Sequence, residues 1–163
     1  MSSVTLREAT DADIPALLAV LMAAFEEYRD QLDPPSGAHD ETEKRLRGTL
    51  RGAHAVLAHV GGEPVGCVFY APMGDYVDLF RLAVLPGHRR HGIGRALIEY
   101  VEGRALAIGI TCVQLGVRTA LPGNRAYYER LGYRFREARA HSGYAEPTYV
   151  ILEKRLTRDT MTR

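Results

Sequence analysis

The sequence has little of what marks a membrane, secreted or nucleic-acid-binding protein. The longest apolar run near its start, Ile14 to Phe25, has about 12 residues, whereas a membrane-spanning helix needs roughly 20. This run follows acidic residues rather than a basic leader, so it is not typical of a signal peptide. Lys and Arg number 21 against 20 Asp and Glu, and dedicated nucleic-acid binders usually carry a larger basic excess. We therefore expect no membrane or nucleic-acid partner.

Cysteine is scarce, and metal-ligand clusters are missing from the pattern. The two cysteines, Cys67 and Cys112, show no paired spacing, which suits a reducing compartment, so we expect a cytoplasmic protein. The His88-x-x-His91 pair has no accompanying Cys, His or acidic cluster, so no metal site is expected. The 163 residues, of which 46% are apolar and 25% charged, are typical of a globular chain with a real core. We expect one domain over residues 1–163.

Hydrophobic periodicity and turn residues divide the chain into strands and helices. The predicted strands are Val4–Ala9, Ala55–Val60, Pro64–Ala71, Tyr76–Leu85, Thr111–Arg118, Tyr133–Ala140 and Thr148–Leu156. The predicted helices are Ile14–Phe25, Glu41–Arg51, Gly92–Ile108 and Asn124–Leu131. The order βααβββαβαββ predicts an α/β protein with a central mixed sheet and helices on both faces. Within it, residues 76 to 118 are expected to form a parallel strand–helix–strand crossover.

The stretch LPGHRRHGIGRAL, residues 85 to 97, places glycines and basic residues directly before a helical pattern. Two known phosphate-loop patterns do not fit it. A dinucleotide fingerprint needs a third glycine or alanine where Leu97 stands. A nucleotide P-loop needs Lys and then Ser or Thr where Arg95 and Ala96 stand. What remains is a strand, a Pro-Gly break and Gly92-Ile93-Gly94 at the start of a helix.

Such a loop could bind an anion, bind nucleic acid or simply connect two elements. Glycines let backbone N–H groups approach an anion, and a helix start adds unpaired donors and the positive end of the helix dipole. Arg89, Arg90 and Arg95 add positive charge. The alternatives are a solvated basic connector and a nucleic-acid-binding loop. The near-neutral total charge and the missing aromatic stacking pattern argue against nucleic acid.

Two segments of the chain resemble motifs of the GNAT superfamily of N-acyltransferases. The first motif is Arg/Gln-x-x-Gly-x-Gly/Ala, and the second is an Asn followed by a helix that carries a Tyr and then by Gly-aromatic. The matching residues are Arg89, Gly92 and Gly94 for the first motif, and Asn124, Tyr128, Gly132 and Tyr133 for the second. The motifs cover about residues 76 to 135, and the element order resembles the family fold from Val4 to Leu156. The resemblance implies a three-layer fold with a central mixed, mostly antiparallel sheet and helices on both faces.

The resemblance also implies acetyl-CoA as the acyl donor. The strand before the loop would splay from its neighbour at a bulge, and the backbone of Leu82, Ala83 and Val84 would pair with the pantetheine arm. The pyrophosphate would rest on backbone amides of the following residues: Arg89, Arg90, His91, Gly92, Ile93, Gly94 and Arg95. Asn124 is expected to cap the short helix and to contact the cofactor.

The same resemblance implies direct transfer of the acyl group to an amine. Tyr128 matches the proton donor to the departing thiolate, and its alternative role is to pack the short helix. Asp78 lies where many relatives carry an acidic residue, so it is a candidate base, with a solvent-facing or arginine-paired carboxylate as the alternative. His141 is a second candidate base, because an imidazole pKa of about 6.5 suits proton uptake at neutral pH. Cys67 alternates with Val65 and Phe69, so we expect it in the core rather than as a nucleophile.

The acceptor pocket of this family is usually shaped by the first helices, their connecting loop and the last two strands. Here these are Phe25, Tyr28, residues 33–41 and residues 141–149, where the prolines and polar residues could form a lid or an exposed connector. We expect an N-acetyltransferase acting on a primary amine of a small molecule or peptide, in a family where homodimers are common. The alternative is a non-catalytic acyl-CoA-binding sensor, against which the retention of Tyr128 and Asp78 weighs.

Overall fold

A computed structural model describes residues 3–157. The helices and strands in chain order are β1 Val4–Glu8, α1 Ile14–Phe25, α2 Glu43–Thr49, β2 His54–Val60, β3 Glu63–Pro72, β4 Val77–Val84, α3 Ile93–Ala107, β5 Cys112–Arg118, α4 Pro122–Arg130, β6 Arg134–Arg139 and β7 Tyr149–Arg155. The predicted order is confirmed element by element, and the ends differ by at most two residues.

The chain folds into two compact units. The first contains the described residues up to Ala71 together with Leu79–Val101, and the second contains Pro72–Asp78 and the described residues from Glu102 onward. Strand β4 and helix α3 each begin in one unit and end in the other. Each unit therefore has its own strands, helices and buried side chains.

The first unit is built on the antiparallel strands β1, β2 and β3. Val60 of β2 pairs with Glu63 of β3 across Gly61 and Gly62, which both have positive φ, so the predicted hairpin is confirmed with a two-residue turn. One face of these strands is covered by α1 and α2. The buried side chains packed between these helices and strands include Ile14, Leu17, Leu21, Leu46, Ala55, Leu57, Cys67 and Phe69. Cys67 is thus a core residue, as predicted.

The start of α3 covers the opposite face of the first unit. Gly66 precedes Cys67 in β3, and neighbouring strand residues point to opposite faces. A Cβ atom at Gly66 would lie 3.3 Å from Ile93 and 3.4 Å from Leu97, both of which are buried on α3. Helices therefore lie on both faces of the strands in this unit, as the sequence pattern predicts.

The second unit contains the start of β4, the strands β5, β7 and β6, and helix α4. Val77 and Asp78 pair in parallel with Val113 and Gln114 of β5, which confirms the predicted crossover. The β5–β7 and β6–β7 pairs are antiparallel. Taken through both units, the hydrogen-bonded strand order is β1-β2-β3-β4-β5-β7-β6.

Among residues 3–157 we find no helix with the length and apolar character needed to cross a membrane.

The close approach of α3 and β4 to Gly66 gives a test of the fold. In a Gly66→Ala variant, the added methyl group would lie 3.0 Å from the backbone oxygen of Ala83, which cannot rotate away. We expect the free energy of unfolding to fall by about 1–3 kcal/mol in urea titrations. The control is Gly48→Ala in α2, where nothing lies within 4 Å of the added atom and helix propensity predicts a gain of up to about 1 kcal/mol. Equal stability of the Gly66→Ala variant and the wild type would contradict this packing.

Candidate functional site

The loop between β4 and α3 presents backbone amides at the start of a helix. A short 3-10 turn, Pro86–His88, follows β4, and Arg90 and Gly92 then have φ of 66° and 79°. The first helical hydrogen bond runs from the Ala96 N–H to the Gly92 carbonyl at 3.0 Å. The N–H groups of Ile93, Gly94 and Arg95 therefore precede that bond and lie at the positive end of the helix dipole, a geometry that suits a phosphate.

The loop is held in place by its arginine rather than left free. The Arg89 guanidinium donates to both Glu27 carboxylate oxygens at 2.8 Å, to the Ala24 carbonyl at 3.2 Å and to the Val84 carbonyl at 3.1 Å. Its side chain thus ties the loop to the end of α1 and to β4. The guanidinium is therefore bonded to protein groups on several sides.

The other basic residues of the loop differ from one another. Arg95 forms an exposed ion pair with Glu99 one helical turn later, at 3.6 Å, and such pairs are weak. Arg90 and His91 are exposed. Of the three predicted arginines, Arg89 is paired with Glu27 at 2.8 Å. Attraction for an anion here comes first from the backbone N–H groups.

Strand β4 places backbone groups on both of its edges. The Leu85 N–H donates to the Val65 carbonyl of β3 at 2.9 Å. Because successive strand residues direct their N–H and C=O groups to alternate edges, the groups of Ala83 point toward β3 and those of Leu82 and Val84 point away from it. Within the predicted trio, Leu82 and Val84 are therefore the residues whose backbone groups lie on the edge away from β3.

Arg81 interrupts the regular conformation of β4. Its φ of 52° is left-handed, which is uncommon for a non-glycine residue and typical of a bulge or of local strain. Its guanidinium pairs with the Glu41 carboxylate at 3.2 Å, and the Glu41 side chain is only 12% exposed. The ion pair fixes the end of the loop before α2 to the irregular part of the strand.

The loop before α2 is partly buried and folded, not an exposed connector. Residues Gly37–Asp40 form a 3-10 turn, and the Ser36 hydroxyl accepts a hydrogen bond from the Ala38 N–H at 3.2 Å. Ala38 is fully buried, and both ring nitrogens of His39 are shielded from solvent without a hydrogen-bond partner. These contacts give the predicted acceptor loop a defined shape in the first unit.

Asp78 is the more perturbed of the two candidate bases, and it lies in the second unit. It is the second residue of β4 and pairs with Gln114. Burial raises the pKa of its carboxyl from 3.8 to about 6, since a charged carboxylate is disfavoured away from water. Near neutral pH the group is mostly ionised yet basic enough to accept a proton.

Tyr128 lies in α4 and is half-buried. Its ring meets the ring of Tyr127 at 5.4 Å and that of Tyr133 at 6.0 Å, in edge-on arrangements. Its carbonyl accepts hydrogen bonds from the N–H groups of Leu131 and Tyr133 at the end of the helix. The phenol predicted as the acid is therefore held on its helix by aromatic neighbours.

The predicted capping role of Asn124 is wrong. Helix α4 begins at Pro122, after Leu121 as the N-cap residue, so Asn124 lies inside the first turn. Proline is favoured at the first helical position because its ring fixes φ and it lacks only an N–H that would be unpaired there. Asn124 is exposed, so its side chain is accessible from solvent.

His141 is fixed by the threonine that precedes β7. The His141 N–H donates to the Thr148 hydroxyl at 2.9 Å, and its ring Nδ1 contacts the same hydroxyl. The ring lies 4.9 Å from that of Tyr149. Burial, together with the charge of Arg118, lowers the pKa of the imidazole, so the ring is neutral at neutral pH. Asp78 thus lies beside Gln114, Tyr128 beside Tyr127 and Tyr133, and His141 beside Thr148 and Tyr149.

One buried charge in the second unit escaped the sequence reading. Glu102 is 1% exposed and bonds the Tyr133 hydroxyl and the Lys154 ammonium. A signal was present, because Glu102 falls four residues after Ile98 on the apolar stripe of α3, where a charge needs a partner.

Among the described residues, no group of three or more His, Cys, Asp or Glu side chains is arranged to hold a metal ion.

Comparison with known proteins gives a consistent family. The model of the acetyltransferase (GNAT) family matches residues 17–133. A Bacillus subtilis protein described as an acetyltransferase is 29% identical over 126 residues, which are 77% of this chain and 79% of that protein. The ribosomal protein bS18 alanine N-acetyltransferase of Escherichia coli is 36% identical over 74 residues, which are 45% of this chain and 49% of that protein.

A solved structure shows the same fold. The PaiA N-acetyltransferase of Thermoplasma acidophilum, in complex with coenzyme A, superposes with a TM-score of 0.77 at 17% identity. The superposition covers 94% of this chain and 99% of that one.

The perturbed carboxyl of Asp78 predicts a pH-dependent stability difference. Between pH 3.8 and about 6, the native protein keeps a proton on Asp78 that the unfolded chain has already released. The wild type therefore loses stability as pH rises through this window, and an Asp78→Asn variant does not. The free energy of unfolding of the variant minus that of the wild type should increase from pH 4 to pH 6 and stay level above, as measured by urea titrations at each pH. A flat difference would contradict the shift, and Asp75→Asn at an exposed turn is the control.

Proposed function

Because the chain belongs to the GNAT acetyltransferase family, we propose that it is an N-acetyltransferase, folded as one functional domain. It transfers an acetyl group from acetyl-CoA to a primary amine of a small molecule or peptide. The observation that carries this proposal is the set of backbone amides at the start of α3, which lies within the part of the chain that the family model matches. Metal or nucleotide-triphosphate chemistry has no matching motif in the sequence.

The donor is held mainly by backbone groups in this proposal. The N–H groups of Ile93, Gly94 and Arg95 bind the pyrophosphate, with those of the preceding loop from Arg89 to Gly92 around it. Leu82 offers its backbone groups and Val84 its N–H, on the edge of β4 away from β3, to the pantetheine arm, while the Val84 carbonyl is held by Arg89. Exposed Asn124 serves as a further contact to the donor.

The reaction needs one proton to leave the amine and another to reach the sulfur. The amine nitrogen attacks the thioester carbonyl carbon, an amide C–N bond forms and the C–S bond breaks. The electron pair of the C–S bond goes to sulfur, which takes a proton from the Tyr128 hydroxyl. The amine proton passes to a base, and transfer of a proton back to Tyr128 restores the enzyme. The products are an acetylated amine and coenzyme A.

We propose Asp78 as the base. Its pKa of about 6 keeps it ionised at neutral pH, while an ordinary aspartate would be a weaker proton acceptor. His141 is the second choice: its imidazole is neutral and able to accept a proton, although burial and the charge of Arg118 lower its pKa.

The acceptor is proposed by class only. The Escherichia coli relative is named for an alanine of a ribosomal protein, which supports a peptide amine as one option beside small-molecule amines. The two cysteines are free and buried, which fits the proposed cytoplasmic location. Homodimers are common in the family, and light scattering would test whether this chain forms one.

The role of Tyr128 predicts a selective loss of rate. A Tyr128→Phe variant keeps the ring but cannot donate a proton, so turnover should fall by about 100-fold. The Kd for coenzyme A, measured by calorimetry, should stay within about twofold, because uniform binding is untouched. Tyr127→Phe, the adjacent tyrosine, is the control and should keep its rate. Full turnover of Tyr128→Phe across the pH range would remove Tyr128 from the mechanism.

The amide cradle predicts a loss of donor binding in the loop. Gly92 has φ of 79°, a conformation in which a β-branched residue is strained. We expect Gly92→Val to weaken coenzyme A binding by about 100-fold or more, since several amide hydrogen bonds to charged phosphate are lost together. Gly87→Val changes the same loop at an ordinary φ with open space around it, so its Kd should be close to that of the wild type. A Gly92→Val variant that binds coenzyme A as tightly as the Gly87→Val variant and the wild type would exclude binding by these amides.

A further inference from the structure

A buried carboxylate in the second unit lies at the centre of three elements. Glu102 of α3 is 1% exposed, and its carboxylate accepts a hydrogen bond from the Tyr133 hydroxyl at 2.8 Å. The Lys154 ammonium of β7 lies 3.1 Å and 3.2 Å from the two oxygens. Desolvating such a pair offsets much of its attraction, so a buried ion pair is weak evidence for a role in stability alone. The carboxylate also fixes the position of the Tyr133 hydroxyl.

Tyr133 links this network to the end of α4. The Tyr133 N–H donates to the Tyr128 carbonyl at 3.1 Å, and the Gly132 N–H donates to the Glu129 carbonyl at 3.1 Å. With Gly132 at φ of 99°, these are the two hydrogen bonds of a Schellman motif. The motif normally brings the two outer side chains together, and here they are Tyr128 and Tyr133, with ring centroids 6.0 Å apart.

The three elements leave little room for Tyr133 to move. A Cβ atom at Gly132 would lie 3.2 Å from Lys154 Cε, so the helix end packs directly on the lysine stem. The Lys154 ammonium also lies 5.7 Å from the centre of the Tyr133 ring. A phenylalanine at position 133 would keep the ring contact with Tyr128. The hydroxyl adds one thing, which is a fixed ring orientation through its bond to Glu102.

We propose that Glu102, Tyr133 and Lys154 are positioning residues that hold the Tyr128 phenol in the orientation required for proton transfer. This inference rests on the proposed function of Tyr128 as the acid. Burial raises the pKa of the Tyr133 hydroxyl, and the Glu102 charge raises it further, so the hydroxyl remains a donor throughout the neutral pH range. The orientation of Tyr128 is thus insensitive to pH where the enzyme works.

A double-mutant cycle between Tyr133→Phe and Tyr128→Phe tests the inference kinetically. In the wild-type background, Tyr133→Phe should lower kcat by about tenfold and leave the KM for acetyl-CoA unchanged, because the acid is misplaced but the donor still binds. In the Tyr128→Phe background the same change should have no further effect on kcat. Equal effects of Tyr133→Phe in both backgrounds would show a merely structural role and overturn the inference.

Two further measurements separate this inference from folding defects and from the proposed function. Glu129→Gln removes an exposed carboxylate of α4 and should leave kcat unchanged, whereas Glu102→Gln should match Tyr133→Phe if it folds. The NMR signals of 13C-labelled Tyr128 should shift in Tyr133→Phe, since the neighbouring ring is retained and only its orientation changes. An unchanged Tyr128 signal would overturn the inference. Absence of wild-type turnover on every amine tried would instead overturn the proposed acetyltransfer, with the NMR result still deciding the positioning.

Discussion

A helix leaves its first N–H groups and its last C=O groups without partners inside the helix, and this constraint shapes both candidate sites of the chain. At the start of α3, left-handed Gly92 turns the chain so that the N–H groups of Ile93, Gly94 and Arg95 precede the first helical bond. At the end of α4, left-handed Gly132 closes the helix on the carbonyls of Tyr128 and Glu129. In the proposed function, the first of these helix ends binds the donor and the second positions the Tyr128 side chain.

The charged residues around these helix ends mostly hold structure. The Arg89 guanidinium is hydrogen-bonded to Glu27 and to two carbonyls, and the Arg81 guanidinium is paired with Glu41. Lys154 neutralises Glu102 inside the second unit. These three basic side chains are thus paired within the protein, and in the proposed function oriented backbone dipoles bind the polyanionic donor. Such dipoles are fixed in advance and need no reorganisation on binding.

The sequence pattern predicts the fold well because its signals are local. Apolar periodicity, the Gly61-Gly62 turn and the stop at Gly132 place every described element within one or two residues. The start of α4 was misplaced because Asn124 is a good cap by type, whereas Pro122 at the first helical position decides the matter. Contacts between residues that are far apart in the sequence cannot be predicted from such local signals. Nothing near Arg89 in the sequence points to Glu27, which lies 62 residues away.

The site could be predicted only in part, since its chemistry depends on burial. The loop and Tyr128 are visible as motifs, but the raised pKa of Asp78 comes from desolvation in the folded chain. The left-handed conformation of Arg81 likewise has no mark in the sequence. Glu102 did have one, because a carboxylate on the apolar stripe of α3 requires a buried partner. A charged residue on the apolar stripe of a helix therefore predicts a buried partner of opposite charge or a hydrogen-bond donor.

The central claim is that the chain catalyses direct transfer from acetyl-CoA to an amine. The most direct measurement is mass spectrometry of small molecules and of the intact protein after incubation with acetyl-CoA and a mixed panel of polyamines, aminoglycosides, amino acids and peptides. The account predicts an acetylated amine and an equal amount of coenzyme A, with the mass of the protein unchanged throughout. Bound acetyl-CoA without any acetylated amine would contradict it and indicate a binding module. A protein that gains an acetyl group ahead of the amine would contradict direct transfer.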